Sequence, residues 1–218
     1  QKEEEPKGEN SKDPAQQLED LAKEMEELEN LEARQDSLNE QVGKAAGSGQ
    51  SGKPNQDLAS EQEGIRRDLD GLRQQRYDRN GKLGDVADLD QAGREMKAGA
   101  GDLRRDQPRQ AQPHGELASE ALGRAISQVE QEMSKLAADM VDQLTEMAEQ
   151  LGEGQGNLRG ETENAKGGQG ERLREEQDSL NEGLEDLLEE IDRTARSLGK
   201  YQDRATEELL KAARDAKE

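Results

Sequence analysis

The sequence predicts an all-α fold of long amphipathic helices, a coiled-coil or helical-hairpin bundle joined by Gly-rich linkers. Three observations predict it. The hexapeptide Gln-Asp-Ser-Leu-Asn-Glu occurs at residues 35–40 and again at 177–182. Around both copies, and around a looser third, apolar residues fall at i, i+7 and i+11: Leu31, Leu38 and Val42; Leu58, Ile65 and Leu69; Leu173, Leu180 and Leu184. That spacing draws one stripe along an α-helix and leaves the remainder polar. Finally, the 218 residues include no Phe, Trp or Cys and two Tyr, so the material for an ordinary core is scarce. Narrow apolar stripes made of aliphatic residues are suited to meeting other helices.

The elements follow in order. Residues 1–12 are charged, contain one Pro and read as disordered. Asp13 is a good N-cap and Pro14 suits the first helical position, so a helix begins there. Its stripe is Leu18, Leu21, Met25, Leu28, Leu31, Leu38 and Val42, and Gly43 is placed to end it. Residues 43–54 are rich in Gly and Ser and read as a linker. A second helix spans about 55–77 with Leu58, Ile65, Leu69 and Leu72, and Asn80-Gly81 marks a turn. A third starts near Asp85 and carries Val86, Leu89, Met96 and Leu103. Gly93, Gly99 and Gly101 in it mark either close helix crossings or fraying.

Residues 13–106 thus form a region of short helices, and 107–115, with Pro108, Pro113 and Gly115, break it. The clearest seam follows in 116–151: Leu122, Ile126, Val129, Met133, Leu136 and Met140 alternate in steps of four and three. Leu144, Met147 and Leu151 continue it after a stutter, which unwinds a supercoil locally. Residues 152–170 hold seven glycines and read as a loop. The last helix, 171–216, has its seam at Leu180, Leu184, Leu187, Ile191 and Leu198. The two long helices are expected to fold back on each other as an antiparallel hairpin, 116–216.

Chemistry-bearing patterns are few. His114, the single histidine, lies between Pro113 and Gly115 and reads as a solvated loop residue. With no Cys and no Glu-x-x-His pair, no metal, cofactor or catalytic residue is assigned, and the chain is read as a non-enzyme. The net charge of −21 opposes binding to phosphate backbones and to anionic membrane surfaces. No stretch approaches the ~18 apolar residues of a membrane span. The beginning of the chain has neither a signal pattern nor an initiator Met and reads as that of a fragment or a processed product. Met133, Met140 and Met147 recur at seven-residue intervals, as seam filler or as an adaptable client-binding face.

Several features together resemble a known group. They are the Leu/Ile-flanked Gln repeats, the Gln/Gly-rich linkers, and the stretch in which Gln91-Ala-Gly-Arg-Glu-Met96 and Gly101-Asp-Leu103 precede Ala118-Ser-Glu-Ala-Leu122-Gly-Arg-Ala-Ile126. This resembles the C-terminal Gln/Gly-rich helical region of a family of large uncharacterised bacterial envelope proteins with N-terminal membrane helices. The chain is more acidic than that pattern and has Pro108 and Pro113 mid-way. The resemblance covers about residues 15–200 and implies a periplasmic or envelope location, with membrane anchoring upstream of Gln1, and a structural role.

The expectation is therefore a scaffolding region acting through helix–helix association with protein partners, a homo-oligomer, or both. A holdase-type chaperone or hydrophilin-like protectant is the alternative function, and the cytoplasm the alternative location.

Overall fold

A computed structural model describes residues 13–49, 51–80, 86–164 and 170–215; the side chains of 79–80, 195, 197–198 and 200–215 are left aside. Among the described residues there are five helices: α1 (Pro14–Ser48), α2 (Lys53–Asn80), α3 (Ala87–Arg104), α4 (Pro108–Asn164) and α5 (Gly170–Asp215). No strand occurs among the described residues. The all-α expectation holds.

Asp13 caps α1 as expected, its Oδ1 accepting the Ala15 N–H at 3.0 Å. Other boundaries differ from the sequence reading. α1 runs past Gly43 to Ser48, so the linker shrinks to a short turn in which Gly49 and Gly52 take positive φ of 68° and 82°. Ala45 and Ala46 are buried there, and packing overrides the weak helix propensity of a Gly-rich segment. The break expected at 107–115 is confined to residues 105–107, where Asp106 takes a positive φ: α4 starts at Pro108 and passes through Pro113. Pro108 takes the first helical position, where a missing N–H costs nothing. Pro113 forgoes one backbone bond, and the packing of Ala111, Gly115 and Ala118 holds the helix through it. Residues 152–164 are also helical, and only 165–169 separate α4 from α5. The disorder expected for 1–12 and the turn at Gly81 lie outside the described residues.

The chain divides into two compact units: Leu21–Glu132, and Gln1–Asp20 together with Met133–Glu218. The first is a four-helix bundle of alternating direction. Arg34 meets Asp68 and Glu24 meets Arg76, so α1 and α2 run antiparallel. Arg73–Asp90 and Arg104–Glu63 set α2 against α3 in the same way. Arg124–Asp88 and His114–Glu95 do so for α3 and α4. The ring closes where Asn39 and the Ala46 carbonyl of α1 meet Ser119 and Arg109 of α4. Leu28, Leu38, Ile65, Leu69, Leu89, Met96, Leu103, Leu122 and Val129 fill the interior. A second tie joins its turns: Asp106, at φ 59°, accepts the Gly52 N–H (2.7 Å) and the Asn55 amide (3.1 Å) on Oδ1.

In the other unit α5 runs antiparallel to the part of α4 beyond Glu132; the first half of the expected 116–151 partner belongs to the four-helix unit, and the expected 152–170 loop is helical as far as Asn164. Leu180 lies over Gly154 and Leu151 lies over Gly183: each would stand 2.8 Å from a Cβ added to that glycine. Two leucines on opposite helices thus drop into gaps left by two glycines, which brings the backbones close. Arg172 and Glu161 pair near the loop.

Candidate association surface

In the four-helix unit the repeats face one another. Gln35 and Gln62 stand at the same position of the first and second copies, on the apolar stripe. Their amides pair reciprocally, Gln62 Nε2 to Gln35 Oε1 at 2.5 Å and Gln35 Nε2 to Gln62 Oε1 at 3.2 Å. Both are buried, at 0% and 2% exposure. Gln35 Nε2 also donates to Asn39 Oδ1 (2.9 Å), and Asn39 Nδ2 donates to Ser119 Oγ (2.9 Å). The other two helices make room. A Cβ on Gly115 would lie 2.0 Å from Asn39 Oδ1, and one on Gly99 would lie 3.4 Å from His114 Cβ and 3.8 Å from Gln62 Oε1. Gly115 is thus the position that excludes a side chain; Gly99 faces α4 and α2 at ordinary contact distance, and Gly93 and Gly101 meet still looser contacts. A buried polar layer of this kind favours one register, because slipping would orphan the amides.

A second buried polar tie is ionic. Arg76, 2% exposed, donates to Glu24 and to Glu132, each at 2.5 Å. A charged group this deep is tolerated because its partners are charged and hydrogen-bonded to it. His114 is a correction: it is helical and half-buried, with Nδ1 2.7 Å from Glu95 Oε2 and Nε2 3.7 Å from Asp102 Oδ2. It ties α3 to α4. Among the described residues no three His, Cys, Asp or Glu side chains are grouped to hold a metal ion.

Among the described residues, Glu63 and Glu32 depart from the ordinary range in opposite directions. Burial opposes the charge on Glu63, but hydrogen bonds and charge from Arg66 and Arg104 outweigh it and hold the carboxyl low. Burial, then the charges of Asp36 and Glu29, push Glu32 up.

The seam expected along α4 and α5 is not one seam. Leu122, Val129, Met133, Met140 and Leu187 are buried. Ile126, Leu136, Leu144, Met147, Leu151 and Leu180 are half-buried. Leu184 and Ile191 are exposed, at 48% and 42%, and so are Leu188 (56%) and Val141 (47%), which the sequence reading left out. The Leu198 side chain lies outside those described. The reason is geometric. α5 has one apolar face at 180, 183 and 187 on α4, and a second, at 184, 188 and 191, rotated away from it. The adjacent pair Leu187-Leu188 is the sequence signal for this, since neighbours on a helix cannot face one partner together.

The third repeat is the odd copy. Gln177 donates to Asn181 Oδ1 at 3.1 Å, as Gln35 does to Asn39, but the pair is exposed. An open groove of about 350 Å³ runs between Pro14, Met140, Leu144 and Met147 on one side and Glu190 and Arg193 on the other. No described helix is long and apolar enough to cross a membrane. No known family model, curated protein or solved structure matches the chain.

Proposed function

We propose that the chain is a non-catalytic scaffolding region of a bacterial envelope protein and acts through helix–helix association with other proteins. The observation that carries this reading is the contrast between the repeat copies. Two of them spend their stripes on each other inside a closed bundle, whereas the helix with the third leaves Leu184, Leu188 and Ile191 in water. An apolar row on an otherwise polar helix is the kind of surface that marks an interaction site. The envelope location rests on the family resemblance of the Gln repeats and of residues 85–129. Against a holdase, Met133 and Met140 are buried and Met147 half-buried, so the methionines do not offer an open client face.

The test is a photo-crosslinking amino acid in place of Leu188, in the protein expressed in bacterial cells that are then fractionated. Discrete adducts, present without stress and in the envelope fraction, are expected. A smear of adducts that grows only on heating supports the holdase instead. Absence of adducts, or recovery in the cytosol, overturns the scaffold or its location respectively.

A further inference from the structure

The outer row of α5 is bordered by charge of one sign. From residue 175 to 192 the sequence has nine carboxylates and no Lys or Arg. At helical spacing, Asp178, Glu185, Glu189 and Asp192 form the row beside Leu184, Leu188 and Ile191. The cations that follow are engaged: Arg193 with Asp13, Glu189 and Glu190, and Arg196 with Asp192. Asp178 and Glu185 are exposed. The opposite edge of the row leads onto the face packed on α4.

Resting on the reading of this chain as an association region, we propose that this face docks a cationic amphipathic helix of another protein. Its apolar side chains, at i, i+4 and i+7 or an equivalent spacing, cover Leu184, Leu188 and Ile191. Its Lys or Arg side chains lie against Asp178 and Glu185. Charge complementarity selects this occupant. A second copy of α5 would set the row of Asp178, Glu185, Glu189 and Asp192 against its own like charges, within a Debye length of about 8 Å. Nucleic acid and anionic lipid carry the same sign as the face. A cation-flanked helix gains from both the apolar contact and the steering field.

The test uses the full chain and two fluorescent helical peptides of ~18 residues, about the five turns the row and its flanks span. Both share one Leu/Ile row; one has Lys flanks and the other Glu flanks. Anisotropy is expected to show the Lys peptide binding at one site per chain. The Glu peptide should bind at least about tenfold more weakly, and high salt should weaken the Lys peptide. Leu184→Ser/Leu188→Ser/Ile191→Ser should lose at least about tenfold. Asp178→Lys/Glu185→Lys should lose a similar factor with its apolar row intact, while Leu117→Ser, at an exposed site in the four-helix unit, should leave affinity unchanged. Circular dichroism checks that each variant keeps its helix.

Equal binding by the triple Ser variant would reduce the effect to bulk attraction to an acidic chain and overturn the proposal. So would equal binding by the two peptides, or a dimer of the chain alone, seen by light scattering, that the triple variant abolishes. If the Lys peptide fails while discrete crosslinks from position 188 persist, the cationic partner falls and the scaffold reading stands. If the crosslinks vanish too, both fall.

Discussion

Replacing Gln62 by Leu tests whether the buried amide layer specifies the four-helix unit. The side chain is 2% exposed and makes two hydrogen bonds with Gln35, which is itself fully buried. Gln62→Leu leaves the Gln35 Oε1 with neither a protein donor nor water. Gln35 Nε2 keeps its bond to Asn39. Stranding a buried carbonyl costs about 1–3 kcal/mol, and the larger apolar side chain recovers part of that. We expect a net loss of about 1–2 kcal/mol, a sizeable part of a stability of ~5–15 kcal/mol. Gln35→Leu/Gln62→Leu removes both partners and should lie within about 1 kcal/mol of wild type, a coupling of about 1–3 kcal/mol. Gln177→Leu is the internal control. It changes the repeat position equivalent to Gln62, in the hexapeptide identical to that of Gln35, in a half-exposed setting and should shift stability by less than about 0.5 kcal/mol. Urea unfolding followed by far-ultraviolet circular dichroism gives the total. Amide exchange over residues 31–42 and 58–69 isolates this unit. An unchanged Gln62→Leu, or a double variant that loses the sum of the two singles, would refute the reasoning.

The glycines supply a second set of predictions. Gly64→Ala and Gly71→Ala, with nothing within 4 Å of the added Cβ, should each stabilise by about 0.5–1 kcal/mol in thermal melts. Gly115→Ala must displace Asn39, 2.0 Å away, and should destabilise by about 1–2 kcal/mol as the bonds to Gln35 and Ser119 break. Removing one of the two partners of buried Arg76, in Glu24→Ala, should cost about 1–3 kcal/mol in the same assay, because Glu132 still compensates the charge, and Glu24→Ala/Glu132→Ala should cost more. Val129→Asp, at a fully buried site, should abolish cooperative melting of the four-helix unit, whereas Leu136→Asp, half-buried, should be milder by about 1 kcal/mol or more. Glu32 has a raised pKa in the fold, so its charge opposes folding above that pKa, and stability is regained as pH falls through it toward the ordinary carboxylate value of 4.5. Glu32→Gln should therefore be more stable than wild type near neutral pH, by less than about 1 kcal/mol for a half-buried group still in reach of water, and the gap should close on acidification.

The sequence by itself determined the helices and their stripes. Period-3.6 spacing is local, and it placed Leu28, Leu38, Ile65, Leu69, Leu122 and Val129 on buried faces. It also pointed to the antiparallel return of α5 on α4, since two long amphipathic stripes joined by a Gly-rich segment can fold back on each other, although residues 152–164 of the expected loop are helical. The amide layer was half legible: Gln35 and Gln62 recur at an apolar-stripe position, yet that the two copies face each other depends on how α1 and α2 align. Tertiary structure alone decided the rest. A helix carried through Pro113, between buried Ala111 and Ala118, and through Gly154, where Leu180 packs, is settled by packing gains that local propensity does not contain. Burial of Arg76 between Glu24 and Glu132 requires three helices to converge, so no spacing along the chain announces it. The same Leu-x-x-x-Gln-x-x-Leu pattern is core in α1 and partly open in α5. A stripe records only that a helix has an apolar side; how many neighbours surround it decides whether that side meets protein or water.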